Sequence, residues 1–211
     1  MKNILIIAVA IALLANACTQ SPNAQQAQTG EAKDTAKTTG TASAKIDVAT
    51  SSIKWTGTKV TGRHEGTVAI ESGSLKMEAD KITGGEFTIN LASIAITDLK
   101  DDMKEKLAGH LKSPDFFDVA KLAQAKFVIT SITEAKTDST THNVEGNLTI
   151  RDVTKSIKFG AKLDTANPKQ PKAYANFNIN RKDWGIKYEG KKNDLIRDEI
   201  NFRIDIKTTA Q

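Results

Sequence analysis

From residue 46 onward, apolar and polar side chains alternate with a period of two, as in strands that bury one face and wet the other. The last stretch is the cleanest, with Ile200, Phe202, Ile204 and Ile206 set against Asn201, Arg203, Asp205 and Lys207. Ala173, Ala175, Phe177 and Ile179 repeat the pattern, as do Ile157, Phe159, Ala161 and Leu163. Nearer the N-terminus it runs through Ile53 and Trp55, Val68 and Ile70, Phe87 to Leu91, Phe127 and Ile129, and Val144 to Ile150. Turn residues such as Gly62, Gly73, Gly84-Gly85 and Asn167-Pro168 punctuate the series. The spacing predicts eight strands, near 53–61, 66–76, 84–91, 125–135, 142–151, 154–164, 172–180 and 199–208. Short connections favour antiparallel neighbours, and one buried face per strand calls for a closed barrel or a second sheet.

One segment breaks the period. Leu99, Met103, Leu107 and Leu111 recur every four residues, which stacks them on one face of a short helix. Thr97 or Asp98 can cap its start, Asp101 and Asp102 suit the first turn, and His110 and Lys112 suit the last. Pro114 ends it and pushes Ser113 towards extended backbone. If Phe116 and Phe117 continue extended, one ring enters the interior and the other packs outside. A lone helix among strands covers an opening or an edge, so function is sought beside it.

The first 45 residues follow neither period. Lys2, the apolar run Ile4 to Leu14 and the small residues before Cys18 have the layout of an export signal over 1–17. The run is shorter than the ~20 residues a membrane span needs. Cys18 is the only cysteine, so no internal disulfide can form. Its position suits lipoprotein processing, which would make it the acylated first residue of the mature chain. Ala15 and Asn16 depart from the usual processing pattern, and cleavage after Ala17 leaving a free thiol is the other outcome. Residues 18–45 are rich in Thr, Gln, Ala, Ser and Lys, which predicts a disordered polar tether ahead of a domain spanning 46–211.

Composition narrows the chemistry. The net charge of +5 and Lys191-Lys192 imply mild attraction to anionic surfaces. No basic stripe or aromatic RNA motif accompanies them, which argues against nucleic acid. His64, His110 and His142 lie far apart in sequence without metal-ligand spacing, so no metal site is expected. Trp184 beside Arg181 is either a stacked pair at a rim or a structural corner. No nucleophile–base pair, carboxylate dyad or cofactor motif stands out, so no catalytic residue and no cofactor is nominated. The inward set mixes large residues with Gly146, Ala161, Ala173 and Ala175 and carries no ionisable group over the last four strands. Such a lining either packs on itself or surrounds a hydrocarbon guest.

His110-Leu111-Lys112-Ser113-Pro114-Asp115-Phe116-Phe117-Asp118 resembles the signature of the YceI-like polyisoprenoid-binding family, secreted bacterial proteins with a lipocalin-like barrel. Gly146-Asn147-Leu148-Thr149-Ile150-Arg151-Asp152-Val153-Thr154 and Asn180-Arg181-Lys182-Asp183-Trp184-Gly185 resemble two further landmarks of that family, in the same order. The resemblance implies an all-β fold, an eight-stranded antiparallel lipocalin-like β-barrel with one short internal α-helix. It also implies a bound isoprenoid lipid, either a polyprenyl or a quinone tail. The residues expected to line its site are Trp55, Phe87, Ile89, Phe127, Ile129, Leu148, Ile150, Phe159, Ala161, Ala175, Phe177, Ile179, Phe202 and Ile204, with Leu111, Phe116 and Phe117 at the mouth. The expected role is an envelope carrier or store, periplasmic or outer-membrane-associated in a bacterium and held to the membrane through Cys18; a homodimer is allowed. An accessory module for an envelope membrane protein is the alternative, and an enzyme acting on an isoprenoid lipid ranks below both.

Overall fold

In the computed structural model the described residues are 22–35, 40–135, 137 and 139–210. Residues 1–17, read as an export signal, and Cys18 lie outside them. In chain order the strands are β1 (Gln25–Gln26), β2 (Gln28–Glu31), β3 (Ala42–Lys45), β4 (Ser52–Lys59), β5 (Gly62–Glu78) and β6 (Lys81–Ile96). Helix α1 (Asp101–Lys112) follows, then β7 (Gln124–Glu134), β8 (His142–Ile150), β9 (Val153–Asp164) and β10 (Lys172–Asn180). A 3-10 turn at Arg181–Trp184, β11 (Gly190–Lys191) and β12 (Asp194–Lys207) complete the chain. Strands β4 to β10 pair in sequence, β10 pairs β12, and β12 returns to β4, all antiparallel. Eight strands therefore close into a barrel, and closure removes the unpaired edges that an open sheet would expose.

β5 and β6 run well beyond 66–76 and 84–91, and the physical reason is bulges. Their ladder shifts register between Thr67 and Ala69 and again between Ile70 and Ser72. Each extra residue turns the following side chains to the other face. The buried set therefore changes phase, from Val68 and Ile70 to Leu75 and Met77, and from Ile89 and Leu91 to Ile94 and Ile96. A strict period of two recovers only the segment on one side of each bulge.

The polar segment read as a disordered tether is partly built into the wall. β9 and β10 pair only from Ala161 to Asp164 and from Lys172 to Ala175. Beyond that the strands diverge, and residues 25–31 fill the seam. β1 runs parallel to β10 at Phe177 and Asn178, while β2 runs antiparallel to β9 from Lys155 to Lys158. Ala27, between them, is 3% exposed and donates its N–H to Asn178 O at 2.8 Å. Asn147 clasps the backbone of Lys33 from both sides, accepting from its N–H at 2.9 Å and donating to its carbonyl at 2.6 Å. β3 adds to the β5 edge, with Ala44 fully buried. Composition is silent here because two open strand edges, not apolar side chains, supply the stabilising contacts.

Helix α1 stands where expected but is held differently. Lys100 is the N-cap and makes no side-chain cap bond. Asp98 instead accepts the Glu65 N–H at 2.9 Å and lies 2.9 Å from His64 Nδ1. Only half of the four-residue stripe faces inward: Leu107 and Leu111 reach the interior, Ala108 is buried, and Met103 is 60% exposed.

Candidate functional site

The barrel encloses a partly open cavity of about 280 Å³. Small-molecule sites usually span ~300–1,000 Å³, so this one suits a slender guest. Its wall is built almost wholly of carbon. It includes a belt of rings on five of the eight barrel strands: Phe87 on β6, Phe127 on β7, Phe159 on β9, Phe177 on β10 and Phe202 on β12. Successive centroids lie 6.3, 5.8, 4.1 and 6.3 Å apart, and the Phe159–Phe177 pair is stacked. Trp55 on β4 sits opposite Phe202 in register and extends the belt.

The two strands without a ring in this belt carry glycine. A Cβ on Gly66 of β5 would run into Ala95 O and the Trp55 indole. A Cβ on Gly146 of β8 would lie 2.5 Å from Phe127 Cζ and 2.6 Å from Val128 O. The rings fold over these bare positions, which lets large side chains line a narrow tube.

The cavity wall includes Trp55, Phe87, Ile89, Leu111, Phe116, Phe117, Phe127, Ile129, Leu148, Ile150, Phe159, Ala161, Ala175, Phe177, Phe202 and Ile204. Ile179 is buried in the core but is not part of that wall, since β10 is there turning into the 3-10 corner. Phe116 and Phe117 do not diverge, because residues 113–117 form a turn instead of an extended strand. The Phe117 N–H reaches Leu111 O at 3.2 Å and the Asp118 N–H reaches Ser113 O at 2.9 Å. Both rings meet the cavity: Phe117 packs on the core, while Phe116 joins His110 and Tyr188 in a cluster with centroids 4.7 to 5.4 Å apart. Val68, Ile70, Val144, Ile157 and Leu163 also line the wall, and their alternation was the available signal.

Apart from Tyr174 at the start of β10, the polar side chains that border the cavity gather at the other end. The β4–β5 turn, α1 and the segment from Arg181 to Arg197 meet there, and Lys59, His64, Arg181 and Arg197 border the cavity. Arg197 is an ionisable group on the last strand, and it escapes the period of two because β12 shifts register between Ile196 and Ile200. Arg181 is 3% exposed and donates to Ile186 O at 2.9 Å, Arg197 O at 3.3 Å and Asp198 Oδ1 at 3.0 Å. Burial pulls its guanidinium down from the usual range, and Asp198 opposes that pull. Trp184 is buried and donates Nε1–H to Leu148 O at 3.0 Å. Arg181 and Trp184 thus form a structural corner that ties the loop to the barrel, with separate partners. The histidines are not brought together. His64 faces Asp98, His110 faces Asp115 at 3.1 Å, and His142 faces Thr141 at 2.8 Å. Burial raises Asp98, but the Glu65 N–H and His64 outweigh it and hold the carboxyl below its ordinary range.

Among the described residues, one buried side-chain polar atom is unmet. Trp55 Nε1–H is buried and finds no acceptor among the described residues. A buried donor without a partner costs roughly 1–3 kcal/mol, and this one lies on the side of the indole that packs over Gly66.

The family model described as YceI-like domain matches residues 44–208, and the chain belongs to that family. A UPF0312 protein of Pseudomonas fluorescens is 38% identical over 99 residues, which cover 44% of this chain and 50% of that protein. A UPF0312 protein of Pectobacterium atrosepticum is 35% identical over 99 residues, covering 47% and 44%. The chain therefore spans about half the length of the curated relatives it matches. Among solved structures, Burkholderia cenocepacia BcnA matches with a TM-score of 0.64 at 23% identity, over 78% of this chain and 99% of that one. A polyisoprenoid binding domain from Saccharophagus degradans, implicated in plant cell wall breakdown, matches at 0.61 and 13% identity, over 79% and 98%. At these identities the two structures establish the shared barrel.

Proposed function

We propose that this YceI-like chain binds the tail of an isoprenoid-type lipid inside its barrel and serves as a carrier or store in the bacterial envelope. The observation that carries the reading is the cavity wall, a ring-lined tube of carbon with its charges confined to one end. Family membership and the polyisoprenoid binding domain among its structural neighbours support it. Burial is worth roughly 0.8 kcal/mol per carbon, or about 4 kcal/mol per five-carbon unit. Micromolar affinity needs about 8 kcal/mol, and association costs several more. Three or four buried units suffice on these figures. Organic extraction of the purified protein followed by mass spectrometry tests the proposal. An isoprenoid lipid in stoichiometric amount is expected; an empty protein that also fails to take up added polyprenol or quinone would sink it.

Trp55 becomes the polar handle of such a site once its indole, whose N–H is buried and unpartnered in the guest-free barrel, turns towards the guest. Trp55→Phe is expected to weaken a short-chain quinone by about tenfold, the equivalent of ~1.4 kcal/mol and within the range for one buried hydrogen bond. An isoprenoid hydrocarbon such as squalene should be affected much less. Titration of both guests against parent and variant checks this, and equal losses would remove the indole N–H from the recognition.

Export and acylation at Cys18 belong to the same reading, since two acyl chains suffice for stable anchoring. Cys18→Ser is expected to move the protein to the soluble envelope fraction or leave its precursor uncleaved. Fractionation and mass measurement check this, and a variant that is processed and membrane-bound like the parent rules out acylation there.

A further inference from the structure

Two turns stand side by side at the polar end of the barrel. The Val60 N–H donates to Leu195 O at 3.1 Å. The Asp194 carboxylate accepts from Lys59 Nζ at 2.5 Å, from Thr61 N–H at 3.1 Å and from Thr61 Oγ1 at 2.8 Å. The Lys59 bond is the largest cause holding Asp194 below the ordinary carboxylate range, despite some burial, and Thr61 adds to it. This clip has an odd product: it fixes Val60 and Leu195 next to each other in water, 64% and 48% exposed. Met103, the other strongly exposed large apolar residue of this end, sits on α1. The β11–β12 hairpin places Lys191 and Lys192 at its tip beside Leu195, and Lys187 precedes it. All three lysines are exposed, and none is in an ion pair among the described residues. Of the nearby acids, Asp194 is already engaged by Lys59, and Glu189, exposed between Lys187 and Lys191, offsets one of the three positive charges.

We infer that this rim is a docking face for an anionic phospholipid bilayer, on which the barrel stands with its cavity end towards the lipid. Val60 and Leu195 would enter the headgroup–acyl boundary, and Lys187, Lys191 and Lys192 would meet lipid phosphates. Apolar tips flanked by basic side chains are the composition that interfacial binding requires. A protein partner fits less well, because stable protein interfaces bury ~800 Å² per side with aromatic and Arg anchors, and lysine is depleted in them. Attachment by two aliphatic tips and three lysines is weak, reversible and sensitive to salt. The inference stands on rim residues alone and holds whatever the cavity contains.

The test uses the chain from residue 19 onward, so that neither the apolar run Ile4 to Leu14 nor an acyl chain contributes, and vesicles of phosphatidylcholine with and without phosphatidylglycerol. Leu195→Trp puts a reporter on the rim, and Val48→Trp puts one at an exposed site in the turn that enters β4 from the other end. Brominated phosphatidylglycerol is expected to quench the reporter at 195 and leave the one at 48 unchanged. Lys191→Gln with Lys192→Gln should lower partitioning about twenty-fivefold, taking about fivefold for each lysine near an anionic surface. High salt should act in the same direction. Quenching equal at both positions, partitioning indifferent to phosphatidylglycerol, or a stable dimer in light scattering that Leu195→Lys dissociates would each overturn the inference.

Discussion

Gly66→Val is expected to be the most damaging single substitution in the wall, destabilising the protein by at least about 3 kcal/mol, at the upper end of overpacking costs. The reason is geometric. A Cβ at position 66 would collide with Ala95 O on one side and with the Trp55 indole on the other. Gly66 pairs with Trp55 on β4 and with Ile96 on β6, so both neighbouring strands are fixed by the ladder and cannot retreat. Trp55 could relieve the clash only by swinging into the cavity, which would also displace a guest. Gly109 provides the contrast. A Cβ there meets nothing within 4 Å, and it lies within α1, so Gly109→Ala should stabilise the protein by roughly 0.5–1 kcal/mol. Urea unfolding of the two variants beside the parent decides the matter. A Gly66→Val protein with parental stability would mean that the wall yields there and that the ring belt is not tightly built.

How much of this was legible in the sequence depended on what each residue contributes physically. The wall strands announce themselves because a closed barrel with an apolar interior forces every second side chain inward, as in Ile200 to Ile206. The same logic misses Leu75, Met77, Ile94 and Ile96, whose phase is reset by bulges that leave no mark in hydropathy. It also misses the role of Ala27 and its neighbours. A strand that completes a seam through main-chain hydrogen bonds needs no apolar face, so Gln25 to Glu31 look like tether. Met103 errs in the opposite direction: its place in the four-residue stripe promises burial, yet α1 rests on the barrel through its second half alone. The end of the helix was readable as a stop at Pro114. That the chain then turns, sending both Phe116 and Phe117 to the cavity, rests on backbone N–H groups of residues 116–119 donating to the carbonyls of Leu111, Lys112 and Ser113, which no periodicity records. Arg181 and Trp184 were recognisable as a motif, but their partners Asp198 and Leu148 are supplied by the closed fold.

Ala175→Trp separates a carrier from a barrel that merely packs on itself. Ala175 lies mid-strand on β10, is buried, and faces the cavity between Ala161 of β9 and Ile204 of β12 in register. Two small residues, Ala161 and Ala175, face each other in register here, one step from the Phe159–Phe177 stack. In a close-packed interior an added indole forces strained rotamers and backbone shifts, at a cost of typically 1–3 kcal/mol or more. Here Ala175 lines a cavity of about 280 Å³ in all. The ring can occupy that space, and the apolar area it buries offsets part of the strain. The guest-free variant should therefore stay folded within about 1 kcal/mol of the guest-free parent, below the usual overpacking range. Its cavity, however, would be blocked midway, and a tail needing three or four units of depth could no longer thread it. The expected result is a folded protein that emerges from the envelope without its lipid. Denaturant unfolding of delipidated parent and variant, with lipid counted by mass spectrometry, reads both quantities. A variant that retains lipid would move the tail away from β10, and one that unfolds would show that the interior is occupied by its own side chains.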